Sequence, residues 1–413
     1  MSAVPGAARR LLPLVGPALV VGVVCALVLV GVSAAAHLVE EVLWGPRAWW
    51  WTVVVLTAGG LLTGLIVRYV PGHAGHDPAT EGLVGNAPLP LKAVPGLLAA
   101  LFVTLAFGVS LGPEAPTIGA NVALAAALGV RVMPRVPGTV WVALALAGTI
   151  GAMFGTPVAA ALMLSEIPAR NPQEPLWDRM VAPVVAAAAG ALTVHFLEPG
   201  MAFALDVPPY VKAHAGDLVT AAVIAAVGCL LGMAMVYLLP RFHRVAHTVR
   251  NPVVLLTLGG LVLGVLGVIG GRITLFKGLD EMQELARDPA AYPAGQLALI
   301  IVVKTAALLV AAAVGFRGGR IFPSAFIGVA LGLLAAALPW PDVPLALAVS
   351  AGAMGVCVAV SRSGWLSLFL GVVLGGSVAL VPVLCVAILP AWLIATGRPE
   401  MRVAPEAAAT GRA

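Results

Sequence analysis

Charge is what this 413-residue sequence has least of. Lys, Arg, Asp and Glu together supply 10% of it, whereas a soluble domain carries about 25%. With hydrophobic residues at 61%, that scarcity excludes an ordinary soluble protein. Mean hydropathy is +1.05, and the chain reads as an all-α polytopic membrane protein, its partner surface the lipid bilayer. The few charges sum to +5 without a basic tract interleaved with aromatics, so nucleic acid is not expected and the excess orients loops instead. Cysteine is equally scarce. Cys25, Cys229, Cys357 and Cys385 lie in apolar runs without shared spacing, which argues against a metal site or a disulfide framework. All four read as buried free thiols. The groups that intramembrane proteolysis needs are missing too. Asp77, Asp280 and Asp342 lie at segment ends and no serine pairs with a histidine, so neither an enzyme nor a cofactor is expected. His195, His243 and His247 read as ordinary interface histidines beside loops.

What is abundant is apolar sequence, cut often. Hydrophobic segments run over 11–38, 51–69, 94–111, 117–133, 140–166, 180–197, 216–239, 253–271, 297–316, 321–339, 344–361 and 365–396. Several are too short for a simple span of about 20 residues. With 47 Gly and 33 Pro, many helices are expected to end at membrane depth, as in transporters built from discontinuous helices around a midplane site. Polar stretches at 71–82, 168–178, 198–215, 240–252 and 277–295 are expected to be the main loops. The first segment, 11–38, is long enough to be an uncleaved spanning helix. Trp49, Trp50 and Trp51 fit an interfacial aromatic belt. Arg9 and Arg10 precede the first segment, and Arg398, Arg402 and Arg412 follow the last, which puts both termini on the cytoplasmic side. The reading is one transmembrane domain over 1–413, in two loosely related halves, 1–205 and 206–413, with no soluble regulatory domain after Glu400.

One stretch organises the rest. Gly108-Val109-Ser110-Leu111-Gly112-Pro113-Glu114-Ala115-Pro116 ends one apolar run and starts another, and 206 residues after Gly112 comes Gly318, inside Gly315-Phe316-Arg317-Gly318-Gly319-Arg320-Ile321-Phe322-Pro323. Proline is tolerated in a helix's first turn, and the free N–H groups there attract anions. Broken backbone in a membrane is tolerated only inside protein or beside a watery cavity. Glu114, an intramembrane carboxylate at such a break, is a functional candidate by default; a structural helix-capping role is the alternative.

Gly112-Pro113-Glu114-Ala115-Pro116, Ala152-Met153-Phe154-Gly155-Thr156-Pro157 and Gly319-Arg320-Ile321-Phe322-Pro323 resemble the G-x-E-G-P, A-x-F-x-x-P and G-x-F-x-P segments of the CLC family of chloride channels and proton-coupled chloride exchangers. Within it, the likeness is greatest to a bacterial branch of ion-transport proteins, and it extends from about residue 10 to 402. The resemblance implies a CLC-like inverted repeat of discontinuous and tilted helices, assembled as a homodimer of two separate pores in the bacterial plasma (inner) membrane. Chloride or a similar small monovalent anion would be the substrate. Glu114 would be the protonatable gate, occupying the outer anion site and swinging away when it takes up a proton. The backbone amides of Arg320 and Ile321 would face the central anion, and Gly112 and Gly319 would permit close backbone approach.

Departures from the family pattern qualify this. In Ala74-Gly75-His76-Asp77-Pro78, Gly75 falls where the family has an anion-contacting serine. Asp77 reads either as an N-cap of the helix at Pro78 or as an ion or proton group. In Gly397-Arg398-Pro399-Glu400-Met401, Met401 replaces the anion-contacting tyrosine and cannot donate a hydrogen bond. In Leu164-Ser165-Glu166-Ile167, Ile167 stands where exchangers have the internal proton glutamate, and Glu166 is either its substitute on the proton path or a structural carboxylate. Lys304, alone in an apolar segment, either adds positive potential to an anion path or bridges to Asp280 or Glu281. A passive anion channel, and a secondary transporter for another ion or solute on the same scaffold, are therefore the competing expectations.

Overall fold

The computed structural model describes residues 6–45, 47–82, 88–167, 173, 175–198, 203–339 and 343–404, with backbone only for 6–10. Asp342 and Arg412 lie outside the described residues, and so do the side chains of Arg9 and Arg10. Among the described residues fifteen α-helices follow one another: α1 Gly6–Leu43, α2 Trp49–Tyr69, α3 Val94–Ala106, α4 Glu114–Val132, α5 Gly138–Phe154, α6 Pro157–Ser165, α7 Leu176–Leu197, α8 Ala215–Ala246, α9 Pro252–Gly270, α10 Leu279–Arg287, α11 Ala294–Val314, α12 Ile321–Ala337, α13 Leu345–Ser361, α14 Gly364–Gly375 and α15 Leu380–Ala395. Among the described residues, the only β-type pairing is an isolated bridge between Gly112 and Gly319. Seven of these described helices, α1, α2, α4, α7, α8, α9 and α11, are long and apolar enough to cross a membrane.

The interruptions have local causes. The continuous apolar run 140–166 is two helices, because Gly155 adopts φ +65° and ends α5. The extended Thr156 then caps α6 by accepting the Val158 N–H through its side chain. The run 365–396 splits in the same way at Gly376, with φ +63°. One expectation fails. The polar stretches 277–295 and 240–252 are not simply loops, since the first contains α10 and α8 runs through the second as far as Ala246. Leu279, Met282, Leu285 and Ala286 recur at helical spacing and are buried, with Glu281 buried beside them, while Asp280, Glu284 and Arg287 are exposed. A second correction concerns the thiols: Cys25, Cys229 and Cys357 are buried, but Cys385 is exposed on the outward side of α15.

Helices α2 and α9 pack antiparallel through small residues. A Cβ on Gly60 would overlap the Leu256 carbonyl, and one on Gly260 would overlap the Leu56 carbonyl. Gly64 likewise faces Val253 and Gly264 faces Val53. Each of these pairs is reciprocal at an offset of 200 positions, and eight of the twelve residues of 53–64 recur in 253–264. Close approach of this kind is how apolar helices associate where no hydrophobic force separates them from lipid. Gly60→Ala forces the two backbones apart and is expected to cost about 1–3 kcal/mol, measurable as a lower thermal unfolding midpoint in detergent. Gly16→Ala, where a Cβ meets nothing, should not lower the midpoint.

Candidate ion pathway

The three motifs meet at one point. Gly112 N–H donates to the Gly319 carbonyl at 2.9 Å and Gly319 N–H returns the bond at 2.6 Å. This bridge sets the start of α4 against the start of α12. Glu114, only 1% exposed, extends its carboxylate across the junction, where Oε1 accepts the Phe322 N–H at 2.6 Å. Its Oε2 is buried without a partner. The N–H groups of Ile321 and of Glu114 itself also act on this carboxylate, as does the charge of Arg320. Free N–H groups at a helix start carry about half a positive charge, so α12 holds Glu114 as an anion-binding helix end would hold an anion. A Cβ on either Gly112 or Gly319 would overlap the carboxylate. Both glycines are therefore required by the space Glu114 fills. Phe154, from the third motif, closes the site with its ring 5.9 Å from that of Phe322, and Phe203 stacks on Phe322 at 5.9 Å.

Two cavities are lined by residues that flank Glu114 in sequence. A vestibule of about 570 Å³ ends on Pro113 and Phe322, and a small cavity of about 20 Å³ lies beside Ala115, Arg320, Ile321, Glu400 and Met401. The smaller one has room for about one water-sized species. Its one basic lining residue is Arg320, whose Nη2 donates to the Glu81 carbonyl at 2.5 Å. Arg320 Nη1 is buried without a partner, which is costly for a guanidinium N–H. Met401, 1% exposed, packs its side chain into the wall. Glu400 is paired with Arg402 Nε at 2.7 Å.

Gly75 does not line this cavity. It has φ +78°, and its carbonyl accepts from Arg317 Nη2 at 3.2 Å. The Arg317 guanidinium also takes the carbonyls of His73, at 3.1 Å, and Ala74, at 2.9 Å, so it clamps the whole turn. Asp77 caps the 3-10 turn Pro78–Thr80, accepting the Ala79 N–H at 2.9 Å. It also accepts from His243 Nε2 at 2.7 Å. Burial pushes the Asp77 carboxyl up, but the His243 and Ala79 hydrogen bonds and the charges of His243 and Arg317 outweigh it and hold the group below the ordinary aspartate value. His243 and His247 are thus not ordinary interface histidines. His243 lies in the last turn of α8 and His247 is the residue that caps its end, and this spacing of four, which stacks the two rings, was the signal available in the sequence. Their meeting with Asp77, far earlier in the chain, was not. His195 is exposed, its ring against Phe196.

Glu166 is exposed and lines neither cavity, and its Oε1 accepts the Trp365 N–H at 2.7 Å and so holds the start of α14. Ile167 beside it is 39% exposed. Lys304 is fully buried and forms neither expected ion bridge. Its ammonium donates to the carbonyls of Leu275 at 2.6 Å and Phe276 at 2.9 Å, and it sits over the Phe326 ring at 4.8 Å. The charge of Glu281 acts on it at longer range, while Asp280 pairs with Lys277 at 3.7 Å. Lys304 therefore shapes the vestibule wall, which Phe276 lines. Lys304→Met orphans two carbonyls and removes the positive charge that acts most on Glu281. A loss of about 3–5 kcal/mol is expected, read as a fall in folded yield and unfolding midpoint.

Comparison with known proteins agrees with this architecture. The sequence profile of the family described as "Voltage gated chloride channel" matches residues 59–396. The Escherichia coli O1:K1 / APEC protein named "Putative ion-transport protein YfeO" is 47% identical over 406 residues, covering 96% of each chain. A CLC-type fluoride/proton antiporter of known crystal structure superposes with a TM-score of 0.76 at 20% identity, over 95% of this chain and 97% of that one. A slow cyanobacterial Cl−/H+ antiporter does so with a TM-score of 0.79 at 17% identity, over 94% and 96%. The two structures speak for the fold alone, whereas the profile and the 47% relative speak for descent. This chain accordingly belongs to the voltage-gated chloride channel (CLC) family and is an integral membrane ion-transport protein, not an enzyme.

Proposed function

We propose that the chain carries chloride or a similar small monovalent anion along a path that Glu114 closes with its own carboxylate. The observation that supports this most is the seat of that carboxylate: Oε1 on the Phe322 N–H, at the start of α12, between two glycines that leave no further room. An anion and the carboxylate compete for the same N–H groups. Protonation removes the charge that holds the side chain there, so it leaves and the anion enters. On the inner side, neither Gly75 nor Met401 offers a donor, and the unpartnered Arg320 Nη1 takes that part, next to the Arg320 and Ile321 backbone. Proton coupling through Glu114 is favoured by the two antiporters that share the fold. A passive channel is the second reading, favoured by Ile167 and by the engagement of Glu166 at α14.

The wider frame is part of the same proposal. Residues 1–205 and 206–413 are two repeats of one transmembrane domain, a reading supported by the recurrence of 53–64 in 253–264. The protein works as a homodimer in the bacterial plasma membrane, with both basic termini in the cytoplasm. The test is efflux from proteoliposomes loaded in turn with chloride, fluoride, nitrate and phosphate, with a potassium ionophore to carry the counter-charge. Monovalent anions are expected to leave and phosphate to stay. Folded protein that passes no monovalent anion would contradict the proposal.

A further inference from the structure

We propose that Asp77, His243 and His247 form a binding site for a divalent transition-metal ion of the zinc type, on the face of the protein that also carries Met401–Val403. One ligand atom from each of the three lies within 4.8 Å of the others. Val403 N–H donates to the Ala79 carbonyl at 2.7 Å, which fixes the turn bearing Asp77 to that face. The two imidazoles stack with centroids 3.8 Å apart and planes 22° apart, and both Nε2 atoms face Asp77 Oδ2, at 2.7 and 3.5 Å. The inference is independent of which ion the pore carries.

Hydrogen bonding assigns the roles of the ring nitrogens. The His243 carbonyl can only accept, so His247 Nδ1, 3.0 Å away, donates to it. Neutral His247 then carries its lone pair on Nε2, which faces Asp77 Oδ2 at 3.5 Å. Two lone-pair atoms facing each other repel unless a cation lies between them. A ring N–H held by a backbone carbonyl is also the usual support of a metal-bound imidazole. Two histidines four apart on a helix are a known arrangement for zinc, and imidazole with carboxylate suits that group of metals.

The dimensions fit once the two rings turn out of their stack, because nearly parallel imidazoles cannot both aim in-plane lone pairs at one ion. Bonds of about 2.0–2.2 Å in a tetrahedral site put neighbouring ligand atoms roughly 3.3–3.6 Å apart, and His247 Nε2 and Asp77 Oδ2 are at 3.5 Å already. The His243 Nε2–Asp77 Oδ2 pair, at 2.7 Å, is a hydrogen bond and must open. The hydrogen on His243 Nε2 moves to Nδ1 by exchange with solvent, and Asp77 remains a carboxylate. Water takes the fourth position, as in open zinc sites. Side-chain exposures of 16% for His243, 27% for Asp77 and 39% for His247 give an ion direct access. The charge of Arg317, which acts on Asp77, opposes binding. A bound ion would tie the Arg317-clamped turn to the end of α8.

The test uses the full chain, without a polyhistidine tag, in detergent. Titrated Co²⁺ is expected to bind one ion per chain with the visible absorption of a tetrahedral site, and Zn²⁺ to displace it. His247→Ala, which removes a ring hydrogen-bonded to the His243 carbonyl, should fold normally and bind at least about tenfold more weakly. His243→Gln, which can still donate to Asp77, should do the same. Zn²⁺ should raise the unfolding midpoint of the wild type and not of His247→Ala. Failure of the wild type to bind stoichiometrically, or an unchanged Co²⁺ spectrum in His247→Ala, would overturn the site and leave a proton as the cation between the two groups.

Discussion

Glu114→Gln is expected to leave anion efflux running while abolishing both its pH dependence and any opposed proton movement. The wild-type carboxylate is held by the start of α12, with Oε1 on the Phe322 N–H at 2.6 Å and Oε2 unpartnered. Lowering the pH protonates it, weakens its hold on N–H groups that favour negative charge, and so opens the path. Efflux through the wild type should therefore rise as pH falls. Glutamine is neutral at every pH and cannot carry a proton. Its amide oxygen can still accept from Phe322, but without the charge-assisted strength of a carboxylate, so an arriving anion displaces it more easily. Parallel recordings of anion efflux and external pH read both effects. If the glutamine variant still moved protons against the anion, Glu114 would not be the proton carrier.

Arg320→Met is expected to slow anion efflux by roughly ten- to hundredfold, the equivalent of about 1.5–3 kcal/mol for a hydrogen bond to a charged partner. An anion stripped of water needs donors at every stage. In the cavity of about 20 Å³, Met401 supplies none, and Gly75 faces Arg317 instead. Arg320 Nη1 is the buried donor left over. Arg320→Lys restores charge without the fork of the guanidinium and should recover part of the rate. Because Arg320 Nη2 also holds the Glu81 carbonyl, the comparison that matters is Lys against Met, since neither keeps the guanidinium's fork geometry. Equal efflux in the wild type and Arg320→Met would remove the side chain from the path.

How much of this was legible in the sequence depends on distance along the chain. Glu114, Gly112 and Gly319 stood out because each lies in a short stretch whose Gly and Pro force a helix start. Helix segments were legible from hydropathy, and breaks at Gly155 and Gly376 were not, because apolar composition continues across them. α10 was hidden by its charge, although its buried face keeps helical spacing. The likeness of 53–64 to 253–264 was present all along and becomes meaningful only with the reciprocal packing of Gly60 and Gly260. Arg320 illustrates the limit. Sequence reasoning could assign its backbone amide, but only three-dimensional packing left its side-chain Nη1 without a partner. Lys304 found backbone carbonyls rather than the acidic neighbours that proximity in sequence suggested.

The central claim is that carboxylate and anion share one seat at the start of α12, and a crystal of Glu114→Ala soaked in bromide tests it most directly. Anomalous scattering should place a bromide within hydrogen-bond distance of the Phe322 N–H, where the Glu114 carboxylate sits in the wild type. A well-ordered α12 terminus with no bromide beside Phe322 would contradict the account.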